Sequence, residues 1–132
     1  MAAIERPAAK RRPVFLNLVA IKQPLPAIVS ILHRISGALL FAVGIPLLLW
    51  FVQTSLASNE GFDAAFGPLS SWLGKLVLLG IAWAYIHHLL AGLRHLALDL
   101  HIGVNLAPAR AASAIVMVVA VLLTLIVAVR LW

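Results

Sequence analysis

The chain contains no cysteine. That absence excludes structural disulfides, thiolate-held zinc or iron-sulfur clusters, and haem attached through a C-x-x-C-H motif, so any metal chemistry must rely on histidine. Charge is equally scarce: 11% of the 132 residues are charged and only four are acidic, while 64% are hydrophobic. A soluble domain carries roughly 25% charged residues, and this composition belongs in a bilayer.

Three stretches lack any Asp, Glu, Lys or Arg: Ile35 to Asn59, Leu76 to Leu93 and Ala111 to Val129. About 20 apolar residues cross a hydrocarbon core of roughly 30 Å. The expected fold is therefore an all-α membrane protein, with three transmembrane helices in an up-down bundle. An N-terminal interfacial segment precedes them over residues 1–26, because "PVFLNLVAIKQPLPA" is amphipathic and broken by proline. Helix 1 should run from about residue 27 to 54 and bend near Ala42, four residues before Pro46. Helix 2 should cover about 71–100 behind a serine cap at Ser70 or Ser71, and helix 3 about 111–132 after the loop "HIGVNLAPAR". The connection after helix 1, "SLASNEGFDAAFGPLSS", reads as an acidic loop ending in a Gly-Pro turn. The N-terminus lacks the basic, apolar and small-residue order of a cleaved signal peptide, so the first helix should be retained.

A net charge of +6 could suggest nucleic acid, but six of the ten Lys and Arg residues precede or open the first span. That pattern is a topology signal, with some attraction to anionic lipid, and no nucleic-acid partner is expected. Arg94 and Arg110 flank the second loop, which puts the N-terminus inside; Lys75, near the outer end of helix 2, runs against the trend and must snorkel. Trp50, Trp72 and Trp132 read as interfacial anchors and Trp83 as packing, with Gly44, Gly74 and Gly80 as places for helices to approach.

Against this apolar background, "YIHHLLAGLRHLALD" (85–99) holds three histidines, an arginine and an aspartate. Ionisable groups at membrane depth are costly and mark functional sites. Residues spaced i, i+4, i+7 and i+11 share a helix face, which aligns His88, Gly92, His95 and Asp99, whereas His87 shares its stripe with Ala91, Arg94 and Leu98. Gly92 leaves space between two imidazoles for a flat group such as a porphyrin, with His88 as axial ligand and His95 near the inner-facing propionates. Interhelical hydrogen bonding is the plainer role for the same residues, and spacing alone does not separate the two. On helix 1, Ser30, Arg34, Gly37 and Phe41 share a stripe that suits a quinone: Ser30 can donate to a carbonyl oxygen and Arg34 can stabilise developing negative charge. A snorkelling Arg beside a serine bonded to its own backbone is the plainer reading there. His33 lies about 100° around the helix from Arg34 and can face a partner or a propionate.

The segments "RPVFLNLVAIKQPLPAIVSILHRISG" (12–37) and "HHLLAGLRHLALD" (87–99) together resemble the cytochrome b subunits of succinate dehydrogenase, small membrane anchors of respiratory complex II. The family's marks are an R-P near the N-terminus, an S-I-x-H-R-x-[ST]-G opening helix 1 and an H-x-x-x-G-x-R-H-x-x-x-D closing helix 2. The resemblance implies haem b ligated by His88 and shared with a second membrane subunit. It implies a ubiquinone site lined by Ser30 and Arg34, haem propionates approached by His33, Arg34 and His95, and no catalytic residue in this chain. It further implies an iron-sulfur and a flavoprotein partner and a bacterial inner membrane with the N-terminus cytoplasmic. After Asp99 the sequence departs from the pattern, placing His101 near an expected glycine. Two other readings fit the same composition: a haem-free structural anchor, and a small proton- or solute-conducting subunit using His88, His95 and Asp99 as a relay. The relay reading is weakened by the absence of any acidic residue deep within a span.

Overall fold

The computed structural model describes residues 20–132. Most of the expected interfacial segment, residues 1–19, lies outside the described residues. Among the described residues the chain is helical, with no strand, in the order α1 (Leu25–Leu39), a π-helical turn (Leu40–Gly44), α2 (Ile45–Ala57), α3 (Asn59–Ser70), α4 (Trp72–Asp99) and α5 (Leu106–Leu131). Three continuous stretches are long and apolar enough to cross a membrane: Leu25–Ala57, Trp72–Asp99 and Leu106–Leu131. The first opens with Pro24 at its cap and Pro26 in its first turn, where a missing N–H leaves no bond unmade.

The π turn has a specific cause. Pro46 has no N–H to give the Ala42 carbonyl, and its ring crowds that carbonyl. The preceding turn widens, and Ile45 N–H reaches back to Leu40 O instead. The widened turn contains Ala42, where the sequence places the bend.

The acidic connection forms a helix rather than a loop. Ser58 caps α3 by accepting from Gly61 N at 3.0 Å, and Glu60 sits in its first turn, where the helix dipole favours an anion. Phe62, Ala65, Phe66 and Leu69 recur at helical spacing; Ala65 is fully buried and Phe66 meets the Phe51 ring edge-on at 4.9 Å. Gly61, Gly67 and Pro68 mask this signal in the sequence. Ser71 then makes the hinge into α4, donating to Pro68 O at 2.6 Å and accepting from Gly74 N at 3.1 Å.

α5 starts at Leu106, earlier than expected, because Pro108 falls in its first turn, where helix N–H groups have no partners in any case. α4 packs on both α5 and α1, and α1 also touches α5. Val29, Ala91 and Val116 meet at the centre of this three-way contact. On α5 the buried stripe is Ala109, Ser113, Val116 and Ala120, small side chains that let two membrane helices approach. Gly80 has no neighbour within 4 Å and Gly44 meets only Leu40 of its own span, so neither is a contact point between helices; Gly74 lies against the Pro68–Leu69 turn. Lys75 extends its ammonium over the Trp132 ring, 5.3 Å from the centroid, which gives this cation a local partner.

His101 explains the departure noted after Asp99. It has φ 60°, in the left-handed region, with His101 N–H donating to Leu98 O and Ile102 N–H to Ala97 O, both at 2.9 Å. This is the Schellman ending of α4, a position that suits glycine and costs other residues about 1–2 kcal/mol. His101→Gly should therefore stabilise the protein by about 1 kcal/mol, read as a higher thermal midpoint of the detergent-solubilised protein; an unchanged or lower midpoint would show that the His101 side chain compensates its backbone.

Candidate functional site

Helix periodicity separates the adjacent histidines of α4 into two environments. His87 and Ala91 are both fully buried. They face inward, and neither ring nitrogen of His87 has a hydrogen-bond partner among the described residues. His88 lies half-buried on the neighbouring stripe, facing α1.

On that side three imidazoles gather. His33 stacks on His88 with ring centroids 4.1 Å apart and 11° between planes, and the His95 ring lies 5.1 Å from His33 at a tilt of 46°. Two glycines make the space. A Cβ at Gly37 would lie 2.7 Å from His88 Cε1, and one at Gly92 would lie 3.5 Å from His33 Nε2. The gap beside Gly92 thus takes the His33 ring, and Gly37, placed by the sequence reading on the quinone stripe, serves His88.

One side of the His88 ring is tied to α1. Its Nδ1 lies 3.0 Å from the His33 carbonyl oxygen and 3.2 Å from Ser36 Oγ, while Ser36 Oγ donates to the same carbonyl at 3.0 Å. A carbonyl can only accept, so the proton sits on Nδ1 and Nε2 carries the lone pair. Nε2 makes no hydrogen bond among the described residues. A histidine that donates through one nitrogen to a carbonyl and keeps the other basic is arranged as metal-ligating histidines are. Among the described residues no three His, Cys, Asp or Glu side chains converge to hold a bare ion. The donor set fits an iron that brings its own equatorial ligands and asks the chain for one axial nitrogen.

His33, His88 and His95 are thus brought together; the sequence aligns His88 with His95 on one stripe but gives no sign that the His33 ring joins them. Ser30 and Arg34 are not part of this cluster: Arg34 is exposed, Ser30 half-buried, and neither makes a hydrogen bond or ion pair among the described residues. The Ser30 hydroxyl does not bond its own helix, in contrast to Ser36, Ser113 and Thr124, which all donate to backbone carbonyls. Asp99 is exposed at the end of α4. Arg94 turns towards α5, lining a cleft of about 350 Å³ with Leu90, Leu98, Pro108 and Val116, where its Nε is buried without a partner. Sequence reasoning assigned Ser36 no role, although it is 2% exposed and holds the cluster's central contact. A hydroxyl three residues from a motif histidine, on the face that meets α4, was the available signal.

A three-span helical chain with imidazoles gathered between its first two spans is a multi-pass membrane protein. Comparison with known proteins narrows the class. Residues 8–128 match the succinate dehydrogenase/fumarate reductase transmembrane subunit family. The succinate dehydrogenase cytochrome b556 subunit of Paracoccus denitrificans is 41% identical over 119 residues, 88% of this chain and 91% of its own. The subunit of the same name from Coxiella burnetii is 36% identical over 124 residues, 92% and 98% of the two chains. That from Rickettsia prowazekii is 29% identical over 126 residues, 96% and 98%. The chain belongs to the succinate dehydrogenase/fumarate reductase transmembrane subunit family.

The geometry separates the two adjacent histidines experimentally. Both ring nitrogens of His87 are buried without hydrogen bonds, and its ring stacks on Trp83 at 5.4 Å and 16°. Polar atoms buried without partners contribute nothing that an apolar ring of similar shape would not. His87→Phe should leave the thermal midpoint equal to or above wild type; a loss of more than about 1 kcal/mol would show that His87 holds a partner after all.

Proposed function

We propose that this chain is a haem b-binding membrane anchor of succinate dehydrogenase, with His88 Nε2 as one axial ligand. The observation that carries this reading is the His88 ring held by its Nδ1–H on the His33 carbonyl, with the opposite nitrogen basic and without a hydrogen bond among the described residues. Names of relatives that carry cytochrome b556 support it. Bound haem b supplies a one-electron centre of tuned potential. His33, His95 and Arg34, a cation and two imidazoles at the same end of the helix pair, are suited to anionic propionates.

The second axial ligand comes from another small membrane subunit. The exposed face of the first span supports such a partner: Ile28, Ile31, Ile35, Leu39 and Phe41 all lie outward. Ser30 and Arg34, one turn apart on α1 and without side-chain partners among the described residues, are suited to ubiquinone. The hydroxyl donates to a quinone carbonyl, and the guanidinium stabilises the negative charge that forms when electrons arrive ahead of protons. Electrons come from succinate oxidised on a flavoprotein subunit and pass through an iron-sulfur subunit docked on the cytoplasmic face. This chain orients and stabilises, and no residue in it oxidises succinate. The basic N-terminal residues support a cytoplasmic N-terminus in a bacterial inner membrane.

Two predictions follow from separate parts of this reading. In a reduced-minus-oxidised spectrum of the purified complex, His88→Ala should lose or strongly perturb the b-type bands while His87→Phe keeps them; the reverse ranking would transfer the ligand to His87, and no haem bands in wild type would leave a haem-free anchor. Ser30→Ala and Arg34→Leu should each slow quinone reduction about 10- to 100-fold, the worth of one charge-assisted hydrogen bond, with electron transfer to a soluble dye retained. Equal loss of both activities would show that the two residues serve assembly.

A further inference from the structure

Among the described residues, the contact between α1 and α4 contains one fully buried polar side chain from α1, Ser36, at 2% exposure. Its hydroxyl has one proton and two lone pairs. The proton goes to the His33 carbonyl at 3.0 Å, which leaves the oxygen facing His88 Nδ1 at 3.2 Å as an acceptor. His88 Nδ1–H is therefore shared between two acceptors, the carbonyl of His33 and the hydroxyl of Ser36. One acceptor fixes the direction in which an N–H points; two, at different positions along α1, also fix the rotation of the ring about that direction. Stacking on His33 from one side and the absence of a side chain at Gly37 complete the fixation.

We propose that Ser36 is a positioning residue for the His88 imidazole, setting the rotation of the ring and the basicity of Nε2 towards the haem iron. The inference rests on the function proposed above. Two hydrogen bonds from Nδ1–H give the ring more imidazolate character than one, which strengthens Nε2 as a donor and favours ferric over ferrous iron. The hydroxyl also matters because Ser36 is 2% exposed, which keeps bulk water from taking its place.

The test compares the intact purified complex as wild type, Ser36→Ala and Ser36→Thr. It measures the haem midpoint potential, the low-spin ferric EPR g-values and haem retention against a scavenging apo-globin. Ser36→Ala should keep His88 as ligand but raise the potential, shift and broaden the g-values, and weaken retention about tenfold, the lower end of the usual cost of a lost outer-shell partner. Ser36→Thr, which keeps the hydroxyl, should restore all three towards wild type. A Ser36→Ala complex with wild-type potential and g-values would overturn the inference and leave the proposed function standing. A Ser36→Thr complex as impaired as Ser36→Ala would also overturn it, since packing volume rather than the hydroxyl would then be at work. Absence of haem from the wild-type complex would overturn the proposed function itself.

Discussion

An imidazole N–H inside a bilayer needs an acceptor, and the cheapest acceptor available is a backbone carbonyl already fixed in a helix. His88 takes the carbonyl of His33. The rest of the site follows from that bond. It draws α4 towards α1 until a side chain at position 37 would collide with the ring, which is why glycine stands there. It decides which nitrogen of His88 bears the proton, and so which nitrogen is left basic. It also brings His33, whose backbone supplies the acceptor, into stacking contact through its own ring. Backbone and side chain of one residue thus serve the same partner.

The neighbouring elements keep that contact in place. Ser36 bridges the two helices at the same level, and the π turn begins four residues later. The widened turn rotates the outer half of the first span relative to its inner half, so the faces of α1 and α2 need not follow one stripe. The inner half can therefore pack against α4 and α5 around Val29, while the outer half packs against α3. α5 contributes small side chains and no ionisable group to the buried contact. It closes the back of α4 and leaves the α1–α4 seam as the place where polar chemistry gathers.

Much of this was legible in the sequence because bilayer spans are specified by crude signals. Length and charge depletion located the three spans, Pro46 located the distorted turn, and the 3.6-residue period separated the His87 stripe from the His88 stripe. What stayed hidden depended on tertiary contact or on local chemistry overriding an average. α3 looked like a loop because two glycines and a proline outweigh its phenylalanine spacing on any propensity scale, yet Ser58 and the burial of Ala65 suffice to form it. Pro108 looked like a stop and is instead a first-turn residue. The space beside Gly92 could be recognised, but not that a ring from α1 would fill it. Ser36 is easily passed over despite its spacing from His33, since a serine in a membrane helix most often bonds its own backbone, and Ser36 does so as well.

That double role bears on how one chain can carry two adjacent histidines without confusing them. His87 and His88 have the same chemistry and nearly the same depth, so composition cannot decide which one meets a ligand. The 100° step between them does. It sends His87 into the core of Val29, Ala91 and Val116, and His88 to the α1–α4 seam, where it is half-buried among the described residues. A ligand shared between subunits has to sit at such a seam. The fully buried histidine is the less available one, and the half-buried histidine, anchored through one nitrogen and free at the other, is the one the fold presents.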